Sequence, residues 1–427
     1  MGCQTKTSGL FSIVVFGFAI SIPAQNWVQL PGAPKEGDGV YFTSADTGYI
    51  VGGQYGIGND TIFNTIDGGT NWTIHPVPIR VRCVYFVTPE IGYAGGGSSS
   101  TGSDSNHILK TIDGGMTWTG QYKGPPRPAI RSVYFPNKDT GFGVGDDSLI
   151  LKTTDGGATW TRFTQDMGIG YLGTFESVHC TSVNTCYAVG GGSDLKTTDG
   201  GSNWVTMPSP STKITSIYFL NVDTGYAVGY RSLLLYGEVW RIIKTEDGGT
   251  TWNIVLDRNY GPGIPTRLYS IHCINSSTCY AGGVSGAATL ADSNNFVWTS
   301  DGGNTWTIQR LGRGKPINSI HFPTSTVGYA VGEEGVWKID LSVVPVSPAK
   351  PFFSHLNITD NHLRYSIPIP AKVQILLFDL GGRQTLRLFD GPQAAGEHAL
   401  VLPVAAGLQI LDFRAGEKRR VVKVLPR

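Results

Sequence analysis

Charge is scarce and balanced in this chain of 427 residues: 33 Lys and Arg stand against 32 Asp and Glu, a formal +1, and only 15% of residues are charged. So small an excess gives no electrostatic footprint for nucleic acid or for an acidic surface, and neither is expected as a partner. No long helical period runs through the sequence, which excludes a helical fold. After the first two dozen residues no apolar run is long enough to span a bilayer. Cysteine is rare, six in all, and the positions offer no four convergent ligands for a metal. No metal and no cofactor is expected.

Glycine is abundant, 58 residues, and much of it sits in a recurring phrase. Thr, a spacer, Asp-Gly-Gly, two spacers and Trp return six times, with the Asp at 67, 113, 155, 199, 247 and 301. The steps are 46, 42, 44, 48 and 54 residues, the size of a β-propeller blade. In this turn the Asp side chain can cap its own backbone N–H groups, the glycines accept positive φ, and the Trp packs between sheets. Asp67, Asp113, Asp155, Asp199, Asp247 and Asp301 are therefore read as structural.

A second phrase, an apolar triplet, a turn and a Gly-aromatic strand, occurs seven times, beginning at Val40, Val84, Val133, Val178, Ile217, Ile271 and Ile320. β-branched and aromatic residues between Gly and Asp punctuation are strand-and-hairpin grammar. Seven copies predict an all-β, seven-bladed propeller over residues 25–345. The seventh unit ends at Gly335-Val336-Trp337-Lys338 without an outer strand, and Asn26-Trp27-Val28-Gln29-Leu30 reads as an outer strand with no unit before it. The N-terminal strand is expected to complete the last blade and to remove an open sheet edge.

Residues 1–24 read as a signal peptide: Lys6, an apolar stretch from Leu10 to Ile20, then Ile22-Pro23-Ala24 before Gln25. Cys180 with Cys186 and Cys273 with Cys279 bracket equivalent turns, replacing the Phe and Gly of the second phrase. Two local disulfides made in an oxidising compartment are expected. Cys83 is expected to be buried, since most other copies have Ser there.

After Asp340 the phrases stop. Val344-Pro345-Val346-Ser347-Pro348 is Pro-rich, residues 346–350 are taken as a linker, and residues 351–427 show short alternating strands of a small β-sandwich. Tyr365-Ser366-Ile367-Pro368, Val373 to Leu380, Gly382-Arg383, Ala395-Gly396-Glu397-His398, Ala406-Gly407-Leu408 and the basic end Lys418 to Arg427 resemble the type A C-terminal sorting domain of the type IX secretion system. That domain is itself similar to the Ig-like domain of flagellar hook-capping proteins. The resemblance implies a Gram-negative source, passage through the periplasm with secretion machinery as partner, and a secreted or cell-surface destination; from the apolar runs alone, no transmembrane segment is expected once the signal is removed.

The Asp-box (BNR-like) repeats, for example Lys152-Thr153-Thr154-Asp155-Gly156-Gly157-Ala158-Thr159-Trp160, resemble the photosystem II assembly and stability factor family. The same box occurs in sialidases and xyloglucanases, so it implies an architecture more than an activity.

Strand alternation puts the Asp-boxes and first-to-second turns on one face, and the second-to-third loops and blade crossings on the other. The second face is variable, with loops at Gly95 to His107, Tyr230 to Trp240 and Gly283 to Phe296, and is the expected place for a protein or glycan ligand. Its crossings carry Lys35, Arg80, Arg82, Arg127, Arg131, Lys213, Arg267, Arg313 and Lys315. Arg80, Arg82, Arg131, Lys213, Arg267, Arg313 and Lys315 are the binding candidates, since Arg offers a planar fork to carboxylate or sulfate. His179, His272 and His321 take the place held by Tyr in four copies. They read as packing residues, with a channel-facing metal or anion site as the sharper alternative. For the rival function, an extracellular glycoside hydrolase, two acids at controlled separation are needed; Asp146, Asp147, Glu238, Glu333 and Glu334 are the candidates.

Overall fold

The computed structural model describes residues 26–424 except 53–60, 78, 98–106, 125–127, 164–172, 193, 211, 234–236, 260–265, 286–294, 312–314, 343–356, 360–361, 368–369, 380–382, 404–408 and 416–417. The expected signal peptide, linker and Arg313, and most of the loops at 95–107 and 283–296, thus lie outside the described residues. The chain divides into two compact units, Met1–Ser342 and Val343–Arg427. Among the described residues both are built of strands, with no helix.

The first unit holds seven four-stranded antiparallel sheets among its described residues. Their inner strands are, in chain order, Gly39–Phe42, Val81–Phe86, Ile130–Tyr134, Phe175–Cys180, Lys213–Phe219, Thr266–Cys273 and Ile317–His321. The first six sheets run outward in sequence order. The seventh is completed by Val28–Gln29, paired to Gly335–Asp340 with Val28 opposite Lys338 and Gln29 opposite Trp337. Each inner strand packs on the inner strand of the next sheet, and the seventh packs on the first. The result is a ring of sheets arranged as propeller blades.

Two contacts recur between sheets. A second-strand Tyr stacks on the inner-strand Phe of the following sheet: Tyr49 on Phe86 at 4.0 Å, Tyr93 on Phe135 at 3.7 Å, Tyr187 on Phe219 at 4.1 Å, Tyr280 on Phe322 at 4.5 Å. Its hydroxyl then reaches the next Asp-Gly-Gly turn. Tyr93 Oη and Lys110 Nζ both donate to the Gly156 carbonyl at 2.7 Å, and Tyr187 Oη and Lys196 Nζ both donate to Gly248, at 2.8 and 2.7 Å. The Asp-box is thus a latch between neighbours as well as a turn within one sheet. The seventh sheet has no Asp-box, and the first and sixth carry Asn64 and Trp298 where the second to fifth carry Lys.

Within each turn a buried Thr organises the backbone: Gly69 N and the Asp67 carboxylate both bond Thr65 Oγ1, at 2.9 Å each, and Gly68 and Gly69 take φ of 70° and 91°. Asn71 donates its backbone and side-chain N–H groups to Asp67, holding the carboxyl down to about 2. The Trp that follows sits edge-on to the inner-strand Phe, as Trp72 does on Phe42 at 6.5 Å. Trp27 makes the same contact in the seventh sheet, on Phe322 at 6.0 Å, and is 8% exposed.

Cys180–Cys186 and Cys273–Cys279 are disulfide-bonded. Each joins residues directly opposite one another, the pair that elsewhere is Phe against Gly. Cys83 is half-buried rather than buried, because its position faces the axis of the ring.

In the second unit, two antiparallel sheets enclose one core of Leu363, Tyr365, Ile367, Val373, Ile375, Leu377, Leu411 and Phe413. One sheet is Asn357–Thr359, His362–Ile367 and Gly396–Val401; the other is Gln384–Gln393, Ala371–Phe378, Gln409–Ala415 and Lys418–Val424.

Candidate binding mouth on the ring axis

Counting from the first residue of each apolar triplet, three positions of the inner strand face the axis. The position before the triplet is small: Gly39, Cys83, Ser132, Ser177, Ser216, Ser270 and Ser319. Several of these serines tie inner strands together by accepting a neighbour's backbone N–H, as Ser319 Oγ does from Val40 and Ser270 Oγ from Ile320.

One residue further out stand Asp38, Arg82, Arg131, Glu176, Thr215, Tyr269 and Asn318. In six sheets this residue is a β-bulge: the register slips across it, between Val81 and Cys83, Ile130 and Ser132, Phe175 and Ser177, Ile214 and Ser216, Leu268 and Ser270, and Ile317 and Ser319. A bulged residue escapes the strict alternation of the ladder, and its side chain is re-aimed. All seven line one mouth of about 330 Å³, together with Tyr230 and Arg267.

The bulge also explains the Gly that faces it on the second strand of these six sheets. A Cβ on Gly145 would lie 1.9 Å from the Ala129 carbonyl oxygen, and one on Gly229 would lie 1.9 Å from that of Lys213. Only glycine lets the second strand pass the kinked backbone.

The position after the triplet's first residue forms the floor. Tyr41, Tyr85, Tyr134, His179, Tyr218, His272 and His321 make an unbroken circuit of ring contacts, with centroids 5.3, 4.9, 4.7, 5.2, 4.7, 5.0 and, back to Tyr41, 4.2 Å apart. The three histidines are enclosed by protein, yet each keeps a partly accessible edge toward the channel. Desolvation pulls His179 down to about 4 and His321 to about 3, and lowers His272 as well, so all three are neutral at pH 7. A Tyr separates His179 from the other two, and among the described residues no group of metal-ligating side chains converges. The packing reading fits this geometry.

Most of the nominated cations have partners. Arg131 Nε bonds Asp146 at 2.8 Å and reaches Glu176 at 3.9 Å; Arg267 forks onto Glu238 at 2.7 and 2.6 Å while lying over the Tyr230 ring at 4.4 Å. Arg80 pairs with Asp38 and Lys315 with Glu333, both at 3.6 Å, and Lys213 sits 5.8 Å above Tyr230. Arg82 is different: its Nε is buried without a partner among the described residues, and burial followed by Arg131 and Arg80 disfavours its charge. Glu176 is raised by burial despite Arg131.

The nominated acids are therefore tied to cations at Asp146, Glu238 and Glu333. Asp147 is exposed in a turn with φ 54°, and the Glu334 carbonyl receives the Gln29 side chain at 2.6 Å. Of the segment Tyr230 to Trp240, expected to be a loop, residues 230–233 and 237–240 instead prolong strands Gly225–Leu233 and Gly237–Thr245 and raise one wall of the mouth, while 234–236 lie outside the described residues. Asp38, Glu176, Thr215, Tyr230, Tyr269 and Asn318 were not singled out by sequence reasoning. Aligning the seven copies and reading the column two before the triplet would have found five of them; Tyr230 lies on that raised wall.

No family model and no curated protein matches the chain. Solved structures do. YCF48 bound to D1 peptide is 17% identical, with a TM-score of 0.53 over 74% of this chain and 96% of its own. YCF48 from Cyanidioschyzon merolae is 18% identical, with a TM-score of 0.55 over 75% and 100%. An ancestral GH74 enzyme is 12% identical, with a TM-score of 0.52 over 94% of this chain and 64% of its own. At these identities the likeness is to the β-propeller fold, which is shared by a peptide-bound protein and by an enzyme.

Proposed function

We propose that the chain is a secreted or cell-surface, non-catalytic, seven-bladed propeller that holds a protein or glycan at the axial mouth. The state of the mouth carries this reading: three of the five nominated acids, Asp146, Glu238 and Glu333, are bonded to Arg131, Arg267 and Lys315, while Arg82 and the rings of Tyr230 and Tyr269 open into the cavity. Such a pocket recognises through guanidinium and aromatic faces, and among the described residues the carboxylates that line it, Asp38 and Glu176, each lie within 4 Å of an arginine rather than standing ready to split a glycosidic bond. The closed floor of seven side chains supports the blade count. The YCF48 structure with its D1 peptide is a precedent for a propeller holding a protein partner.

In this proposal residues 1–24 direct export, residues 25–345 form the propeller, and residues 351–427 serve as an Ig-like sorting domain for a type IX-like system of a Gram-negative bacterium. The test is a peptide and polysaccharide array probed with the purified mature protein. Binding lost in Arg82→Gln and Arg131→Glu is expected. Hydrolysis of any polysaccharide that Asp146→Asn or Glu333→Gln abolishes would assign the glycosidase function instead.

A further inference from the structure

The face opposite the mouth has a different chemistry. Backbone bonds from Gly68 to Asp46 and from Gly114 to Glu90 place the Asp-boxes and the first-to-second turns together on it. In the first two sheets these turns expose Asp46, Asp67, Glu90 and Asp113. Two lysines lie close by, Lys338 toward the Gly68 carbonyl and Lys110 on that of Gly156, and the four carboxylates outnumber them. The near-neutral total charge of the chain hides this local acidity.

The same two turns expose apolar side chains. Ile66 is 75%, Ile112 70% and Met116 74% exposed. The four other boxes carry Thr154, Thr198, Glu246 and Ser300 in place of the isoleucines, and Thr70, Ala158, Ser202, Thr250 and Asn304 stand where Met116 does. The turn does not require Ile or Met, so their concentration on two neighbouring sheets, joined by the 2.6 Å bond of Tyr49 Oη to the Gly114 carbonyl, needs another cause.

We propose that this patch docks a basic segment of a partner protein that carries apolar anchors. Ile66, Ile112 and Met116 receive the anchors, and Asp46, Asp67, Glu90 and Asp113 face the lysines or arginines between them. Exposed carboxylates on the same two turns as exposed apolar side chains select such a segment over an acidic one and disfavour an anionic membrane. The surface is independent of the mouth and rests on none of its residues.

The experiment is fluorescence anisotropy of the full chain with labelled twelve-residue peptides of alternating Lys and Leu, or of alternating Glu and Leu, at about 0.15 M salt. The Lys–Leu peptide should bind at least about tenfold tighter than the Glu–Leu peptide. It should weaken about tenfold or more in Ile66→Thr/Ile112→Thr/Met116→Ala, whose residues other boxes already carry. Arg131→Glu should leave it unchanged. Equal binding by the triple variant, equal binding of the two peptides, or an equal loss from the control Thr154→Ala/Ser300→Ala would overturn the proposal. So would binding to phosphatidylserine vesicles that the triple variant loses, which would assign the patch to a membrane. If the triple variant does not fold, Ile66→Thr alone should weaken binding, and no change would overturn it.

Discussion

Phe42 and Tyr329 lie face to face, centroids 3.5 Å apart and planes within 3°, and join the first sheet to the seventh. Tyr329 Oη continues across the seam to the Ala45 carbonyl at 2.7 Å. This seam has the same Tyr–Phe stack as four of the other junctions, yet the last sheet depends on a strand from the far end of the chain. Trp27 anchors that strand against Tyr280, Phe296 and Phe322.

Trp27→Ala should therefore cost about 3–5 kcal/mol, the range for removing a buried Trp. Denaturant melts of the first unit would show it, with Trp27→Phe losing less. A loss within about 0.5 kcal/mol, the surface-substitution range, would mean that the strand is not structural.

The disulfides occupy the slots of a Phe–Gly pair, which suggests a direct exchange. Breaking either bridge, whose ends are 6 positions apart in the sequence, should cost about 2 kcal/mol by loop entropy. Cys180→Phe/Cys186→Gly should recover much of that loss, because Phe142 of the preceding sheet offers the aromatic face that Tyr49 offers Phe86. Melts with and without reductant separate the outcomes: the exchanged protein should lose its sensitivity at that site, and a misfolded product would disprove the equivalence.

The repeat was legible because its bonds are local: Thr65, Asp67, the two glycines and Asn71 complete one turn within seven residues. The missing outer strand was legible for the same reason, since Trp27 heads a strand as the other box tryptophans do. The mouth was not. Whether Arg131 or Glu176 faces the axis depends on a one-residue slip between two strands, which leaves no mark in the residue itself. Nor was the Tyr230 to Trp240 extension legible, because its supports come from elsewhere. Trp240 Nε1 bonds the Val284 carbonyl at 2.8 Å, and Arg241 pairs with Asp257 at 2.6 Å.

That slip yields a prediction. Gly229→Ala places a methyl against the Lys213 carbonyl and must either straighten the bulge or push the strands apart. Overpacking of this kind costs about 1–3 kcal/mol. The Thr215 side chain should also turn from the mouth. Gly120→Ala, where nothing lies within 4 Å of the added carbon, is the control and should be near neutral. Equal stability of the two variants would mean that the bulge does not require glycine opposite it.

The floor of the channel predicts the pH response. His179, His272 and His321 all have folded pKa values below that of an unfolded histidine, chiefly through desolvation. The folded state therefore binds fewer protons than the unfolded one once the pH drops under about 6.5. Stability is full above that pH and falls as the pH declines toward 4 and then 3, where His179 and His321 titrate in place. Each histidine adds up to about 1.4 kcal/mol per pH unit to the slope. The other four sheets build the same floor with Tyr, so His179→Tyr/His272→Tyr/His321→Tyr should keep the ring of contacts and flatten the acid limb between about pH 6.5 and 4. Urea titrations across that interval would decide it, and an unchanged slope in the triple variant would place the acid sensitivity in carboxylates elsewhere.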